Sequence, residues 1–400
     1  MNNQRAVWGV VIIVATAQLG FATILPLLPL HLTERLGASV KLVGLVIAAF
    51  ALVETVFKTA WGGLTDRFGR RPVMVLGLLL SAGAPLVMAV LRTPVLFVPL
   101  RLLDGMGSAA IWPAAAAVIA DRTTPDRRAT GMGMLNVAFL AGVAAGPALG
   151  LFVAGFAGDF RAGFYLASAL MVLAAILAAL LVPGGYDGHH ATDPPVGYHP
   201  DIRPAYLRAV TESFRASPAL FSLYLVAFVQ LLGVGLLIPI AAIYAKQVVG
   251  LSEHEIGTLF LLVVASVALA TIPGGWLADR VGKMWLVKLG MVLGAAGMWL
   301  VPLSSRLPGL VLAAVLLGLS YALSFPAFLA LVSEMAPPGR LGLAIGASET
   351  VQGLGIVLGP LVGGFLWDAA GPKAPFVASA VAITVGAIIA ALALRPPRPA

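Results

Sequence analysis

The sequence contains no cysteine. Disulfides, thiolate metal sites and cysteine nucleophiles are therefore excluded. Charge is scarce as well: 10% of the 400 residues are Asp, Glu, Lys or Arg, where a soluble chain carries roughly 25%. Histidine is limited to His31, His189, His190, His199 and His254, in apparent loops or at helix ends. That distribution speaks against a histidine metal cage. The sequence has no Gly-x4-Gly-Lys-Ser/Thr loop, so ATP hydrolysis at a loop of that kind is not the energy source. No metal, cofactor or covalent catalysis is expected.

Apolar length is what the chain has instead. Hydrophobic residues make up 60% of it, in runs of roughly 20 to 28 residues, long enough to cross a bilayer. Lipid cannot hydrogen-bond a backbone, so such runs must be helices or a closed barrel. Barrel strands alternate polar and apolar over about ten residues, whereas these runs are apolar on all sides. The expected fold is an all-α membrane protein of twelve transmembrane helices. We place them at 7–30, 41–64, 73–91, 95–120, 129–156, 161–182, 218–245, 254–277, 285–303, 308–334, 341–367 and 374–394. Arg5 and Ala15-Thr16-Ala17 resemble the parts of a cleavable signal. The apolar run continues to Leu30, however, so the first helix is read as retained.

One long polar stretch divides the chain. Residues 183–217 hold Pro183, Gly184, Gly185, Pro194, Pro195, Pro200 and Pro204, which argue against a packed domain. The predicted organisation is an N-terminal six-helix bundle (1–182), a linker (183–217) and a C-terminal six-helix bundle (218–400). Tyr206, Leu207, Val210 and Phe214 among Arg203, Arg208 and Arg215 fit either a surface amphipathic helix or plain linker. The net charge of +8 does not point to nucleic acid, because the basic residues are spread over many short loops. Arg5, Arg67, Arg70, Arg71, Arg122, Arg127, Arg128, Arg203, Arg208, Arg215, Arg280, Lys283, Arg340, Arg395 and Arg398 fall on one side of the twelve helices. Fewer, among them Arg35, Lys41, Arg92, Arg161 and Lys246, fall on the other. The positive-inside rule then predicts a multi-pass protein of the cytoplasmic membrane with both termini in the cytoplasm.

The second half repeats the first. Adding 213 to a residue number takes Gly20 to Gly233, Pro26 to Pro239 and Pro113 to Pro326. It takes Gly62, Asp66, Arg67, Gly69 and Arg70 to Gly275, Asp279, Arg280, Gly282 and Lys283. Asp121 meets Glu334, and Gly146, Pro147 and Gly150 meet Gly359, Pro360 and Gly363. Six helices return the chain to its starting side, so the halves share one orientation. Parallel repeats are one of the two common designs of secondary transporters.

The loop Gly62-Gly63-Leu64-Thr65-Asp66-Arg67-Phe68-Gly69-Arg70-Arg71 resembles the signature between helices 2 and 3 of the major facilitator superfamily. The resemblance extends over essentially the whole chain. It implies two pseudo-symmetric six-helix bundles that work by alternating access. It also implies gating roles for Asp66, Arg67 and Arg70, with Asp121 as a partner at the end of helix 4. Asp279 and Arg280 would be a weaker copy, since Met284 replaces the second basic residue. Arg101-Leu102-Leu103-Asp104-Gly105-Met106-Gly107 is similar to the family's helix 4 motif. Gly142-x3-Gly146-Pro147-x2-Gly150 in helix 5 and Gly20-x5-Pro26-x2-Pro29 in helix 1 resemble motifs of its twelve-helix drug/proton antiporters. Small residues four apart allow close helix contact, which gives Gly142, Gly146, Pro147 and Gly150, and Gly359 and Pro360, a packing role.

Charges within membrane helices need a partner or water. Arg101 and Asp104, three residues apart, fit a proton relay, a substrate-orienting pair or a structural pair. Glu54 and Lys58, four apart, fit mutual neutralisation or function. Glu349 has no charged neighbour one turn away and only Gln352 as polar company. An unpaired carboxylate in an apolar site can exchange protons, so Glu349 is the first candidate for the coupling proton, before Asp104 and Glu54. By the family pattern the substrate pocket involves helices 1, 4, 7 and 10, with Arg101, Gln18, Trp112, Tyr224, Gln230, Tyr321 and Phe325 as candidates. Weakly polar, aromatic linings suit amphipathic molecules. The expected protein is a monomeric, non-enzymatic, proton-coupled exporter of small amphipathic molecules. A sugar, lipid or metabolite transporter of the same fold and a sensor that binds without translocating are the alternatives.

Overall fold

The structure, a computed structural model, describes residues 3–183, 218–304, 306–336 and 341–393. The linker with its amphipathic stretch lies outside the described residues, as do His189, His190 and His199. Twelve helices among the described residues are long and apolar enough to cross a membrane. They are α1 (Asn3–Leu30), α2 (Val40–Phe68), α3 (Arg70–Val90), α4 (Phe97–Ala109 continued by Ile111–Arg122), α5 (Pro125–Ala157) and α6 (Arg161–Leu181). The second half supplies α7 (Pro218–Leu237), α8 (Glu253–Val281), α9 (Lys283–Leu303), α10 (Leu307–Met335), α11 (Leu341–Ala370) and α12 (Ala374–Ala393).

Local chemistry explains the joints. Ser39 caps α2 by accepting from the Leu42 amide at 3.3 Å. Gly69 (φ 93°) and Gly282 (φ 101°) make the tight reversals into α3 and α9, a backbone region open to glycine. The break in α4 at Ala110 lies just before Pro113, whose ring crowds the carbonyl four residues back, that of Ala109. Helix 7 is shorter than the predicted 218–245. It stops at Leu237, and the chain turns at 238–240 before the short helix Ala241–Ile243. Pro239 accounts for this, because it donates no amide hydrogen bond and disfavours helical backbone at Ile238.

On α3 large apolar side chains stand on both faces: Val73, Met74, Leu78 and Met88 are buried beside Gly77, Ser81, Ala82 and Ala84, while Leu76, Leu79, Leu80, Leu86 and Val87 are exposed. Small residues let backbones approach, and large apolar side chains meet the lipid solvent. The chain divides into two compact units: Met1–Asp187 with Ile238–Leu261, and Gly188–Leu237 with Leu262–Ala400. In the first, α1 packs on α5 and α6, α2 on α4, and α3 on α4 and α6. Its core includes Val10, Ile13, Val14, Met74, Leu78, Ile119 and Leu135. In the second, α7 packs on α11 and α12, and α9 on α10 and α12. Its core includes Leu220, Leu223, Val287, Met291, Leu331 and Val332. The first unit takes in the start of α8, where the His254 ring sits on Gly155 and meets the Phe156 ring edge-on at 4.9 Å.

Candidate functional site

Three sets of predicted residues can be followed into the structure. The first lies where α2, α3 and α4 end together. Gly69 turns the chain so that Arg70 opens α3 beside the last turn of α2. Its guanidinium donates to Asp66 Oδ1 at 2.6 Å, to the Thr65 carbonyl at 2.9 Å and to Asp121 Oδ2 at 3.1 Å. Arg70 thus joins three helices through one planar group, a geometry lysine lacks. Arg67 stays outside this node, exposed and 5.3 Å from the Phe68 ring centroid.

The corresponding node in the second unit differs from the expectation. Arg280 lies 3.7 Å above the Trp276 ring, and the side chain of Asp279 lies outside the described residues. The bond that closes this end runs from Lys283 to Glu334, joining α9 to α10. Those positions are Arg70 and Asp121 shifted by the repeat. Applying the repeat to the pair, and not to each motif separately, would have found them.

The second set surrounds the crossing of α2 and α4. Gly105 brings the helices together: a Cβ there would stand 2.7 Å from the Phe50 carbonyl oxygen and 3.3 Å from the Glu54 amide nitrogen. Beside this contact Arg101 donates to Asp104 Oδ2, both side chains almost fully enclosed at 5% and 0% exposure. The Arg101 guanidinium lies 3.9 Å over the Phe50 ring, a cation–π arrangement. Phe50 is in turn tilted against Phe21 of α1 at 6.3 Å. Glu54 pairs with Lys58 at 3.2 Å. From α3, Ser81 donates to the Asp104 backbone carbonyl at 3.2 Å. Asp104 Oδ1 and Arg101 Nε have no partner among the described residues. The pair is thus buried yet incompletely satisfied, an unusual condition for a purely structural ion pair. Phe50 was not a sequence candidate, because an apolar aromatic in a membrane helix carries no signal of its own.

Glu349, the first candidate for proton coupling, sits differently. It is exposed on α11, and Gln352 donates to Ser348 at 2.9 Å instead of facing it. The enclosed apolar site that motivated its choice is not formed around this exposed side chain.

The predicted pocket residues divide. Tyr224 is a correction: it is fully buried in the second unit's core and donates to the Ala344 carbonyl at 2.9 Å. Arg101 is held by Asp104 and Phe50 as described. Gln18 is half-buried under Gly142, and Trp112 packs edge-on against Phe139 at 5.4 Å. In the second unit Gln230 donates to Ser324 at 3.3 Å, and Tyr321 and Phe325 stack at 5.0 Å on the same helix as that serine.

The glycines of the third set sit at close helix contacts. A Cβ on Gly142 would stand 2.7 Å from the Ala15 carbonyl oxygen, and one on Gly146 2.8 Å from that of Leu19. Gly150 meets the Thr23 carbonyl in the same way. On α11, Gly359 and Gly363 face Gly235 and Leu236 of α7, and Pro360 adjoins Gly235. Pro147 lies inside α5 without breaking it.

The profile of the major facilitator superfamily matches residues 10–231 and, a second time, 223–400. The chain belongs to the major facilitator superfamily. The two successive matches agree with the internal repeat. The chain is 25% identical over 370 residues to multidrug resistance protein 2 of Bacillus subtilis, covering 92% of this chain and 90% of that protein. It is 29% identical over 363 residues to the class G tetracycline resistance protein of Vibrio anguillarum, covering 88% and 87%. Among solved structures, the nucleoside transporter NupG superposes with a TM-score of 0.80 at 14% identity, over 98% of this chain and 100% of that one. At that identity the last likeness concerns the fold alone. This superfamily member is a multi-pass membrane transporter of small molecules.

Proposed function

We propose that this transporter exports small amphipathic molecules across the cytoplasmic membrane in exchange for protons, and that Asp104 carries the coupling proton. Full-length similarity to multidrug and tetracycline resistance proteins supports the substrate class. The observation that carries the proton assignment is the buried Arg101–Asp104 pair, with one carboxylate oxygen unpartnered. A carboxylate shielded from water, beside a permanently charged guanidinium, can change its protonation only when a conformational change gives access. That is the property a coupling group needs in alternating access. Glu54, half-buried on α2, is a relay position between Asp104 and the outside of the bundle. In this reading the Arg70 node closes the cytoplasmic ends of α2, α3 and α4, both termini are cytoplasmic, the bundles 1–182 and 218–400 rock about the linker, and one chain suffices.

The test uses purified protein in liposomes with an imposed pH gradient and a lumenal pH dye. Ethidium and tetracycline should each drive proton movement. Asp104→Asn should remove that movement while the variant still inserts and elutes as a monodisperse species. Proton movement at the wild-type rate in Asp104→Asn would refute the proton assignment. Movement driven by nucleosides or sugars, with none driven by the two drugs, would refute the substrate class.

A further inference from the structure

We propose that Phe50 is a positioning residue for proton coupling: its ring face holds the Arg101 guanidinium while Asp104 is neutral. The proposal rests on Asp104 being the proton carrier. Arginine stays charged throughout. When Asp104 takes a proton, Arg101 loses its one ion-pair partner among the described residues while remaining 5% exposed. A charge left alone in such a site is costly. The partner that remains in contact is the Phe50 ring, 3.9 Å below the guanidinium. The ring face is negative and attracts the guanidinium. With Asp104 ionised the carboxylate already holds and largely neutralises the guanidinium, so the ring adds little. With Asp104 neutral the ring is the contact that remains. The ring therefore favours the proton-loaded state.

Among the described residues the charged groups around the pair are few. On α2 they are Glu54 and Lys58, already paired with each other. On α4 they are Arg101 and Asp104 themselves. From α3 the contact is the Ser81 hydroxyl, and from α1 the Phe21 ring against Phe50. The arrangement of Phe50 is fixed by backbone, since Gly105 holds α4 against the Phe50 carbonyl. The repeat adds an independent control. Gly318 makes the same close approach to the carbonyl of Val263, at the positions equivalent to Gly105 and Phe50. There the arginine and aspartate positions are Ala314 and Leu317, and the aromatic is gone together with the charges. The crossing alone does not require a phenyl ring; the ring accompanies the arginine.

The experiment measures the pH at half-maximal ethidium-driven proton movement in proteoliposomes. Phe50→Leu should move that midpoint toward lower pH by about one unit, with ethidium binding to detergent-solubilised protein unchanged. Phe50→Trp, which keeps a π face, should restore the wild-type midpoint. Phe50→Met serves as the second apolar variant should the leucine variant fail to insert. An unmoved midpoint in the apolar variants, or an equal shift in the tryptophan variant, overturns the proposal and leaves Asp104 standing. Wild-type proton movement in Asp104→Asn overturns both.

Discussion

The two helix crossings that the repeat makes equivalent differ in one respect. At α2–α4 and at α8–α10 a glycine, Gly105 or Gly318, lies against a carbonyl of the facing helix. Around the first stand Phe50, Glu54, Lys58, Arg101 and Asp104. Around the second stand Val263, Val267, Thr271, Ala314 and Leu317. Packing is common to both crossings, and charge belongs to one. A fold requirement would be expected in both copies, so the charges serve something other than the fold. That separation lets stability and coupling be disturbed independently.

The largest effect should come from making the first crossing resemble the second. Asp104→Leu alone leaves Arg101 buried without a counter-ion, which costs about 3–5 kcal/mol. Poor insertion and a marked fall in Tm should follow. Arg101→Ala combined with Asp104→Leu removes both charges and should recover most of the Tm in detergent while proton movement stays absent. A double variant as unstable as the single one would show that the pair is structural, and the contrast between crossings would lose its meaning.

Steric probes should act alike on both sides. Gly105→Val and Gly318→Val each drive a side chain into an opposing backbone carbonyl. Overpacking of this kind costs about 1–3 kcal/mol, and both variants should lower Tm by similar amounts. A loss confined to Gly105→Val would mean that the helices do not depend on equivalent contacts.

Particular residues show what the sequence could and could not disclose. Helix number and the repeat were legible because hydrophobic length and glycine spacing are local patterns. The contact of Arg70 with Asp66 was legible because the two helix ends that hold them are adjacent in the chain, whereas Asp121, 51 residues away, came only through the family resemblance. Phe50 was not, since its role depends on a neighbour 51 positions away that only the Gly105 contact brings over its ring. Tyr224 was misplaced because a hydroxyl in a membrane helix has two outlets, a pocket or a backbone carbonyl, and spacing does not distinguish them. Glu349 was overvalued because an apolar neighbourhood in sequence does not ensure enclosure in space.

The smallest expected effect concerns the two nodes at the helix ends. Arg70 reaches three acceptors, while Lys283 reaches Glu334 as a point charge. Exposed ion pairs contribute about 0–1 kcal/mol, so Glu334→Gln should change Tm and transport rate little. Arg70→Lys should do more despite keeping the charge, because an ammonium cannot span Asp66, Asp121 and the Thr65 carbonyl with one plane. The expected outcome is a change in transport rate with the ethidium-binding midpoint unchanged, since the node lies at the helix ends and the charge pair lies within the bundle. Lys283→Arg is the converse variant. Were Arg70→Lys silent and Lys283→Arg strongly altered, the second node would be the one that limits the cycle, and the functional asymmetry of the two halves would run in opposite directions at the crossing and at the helix ends.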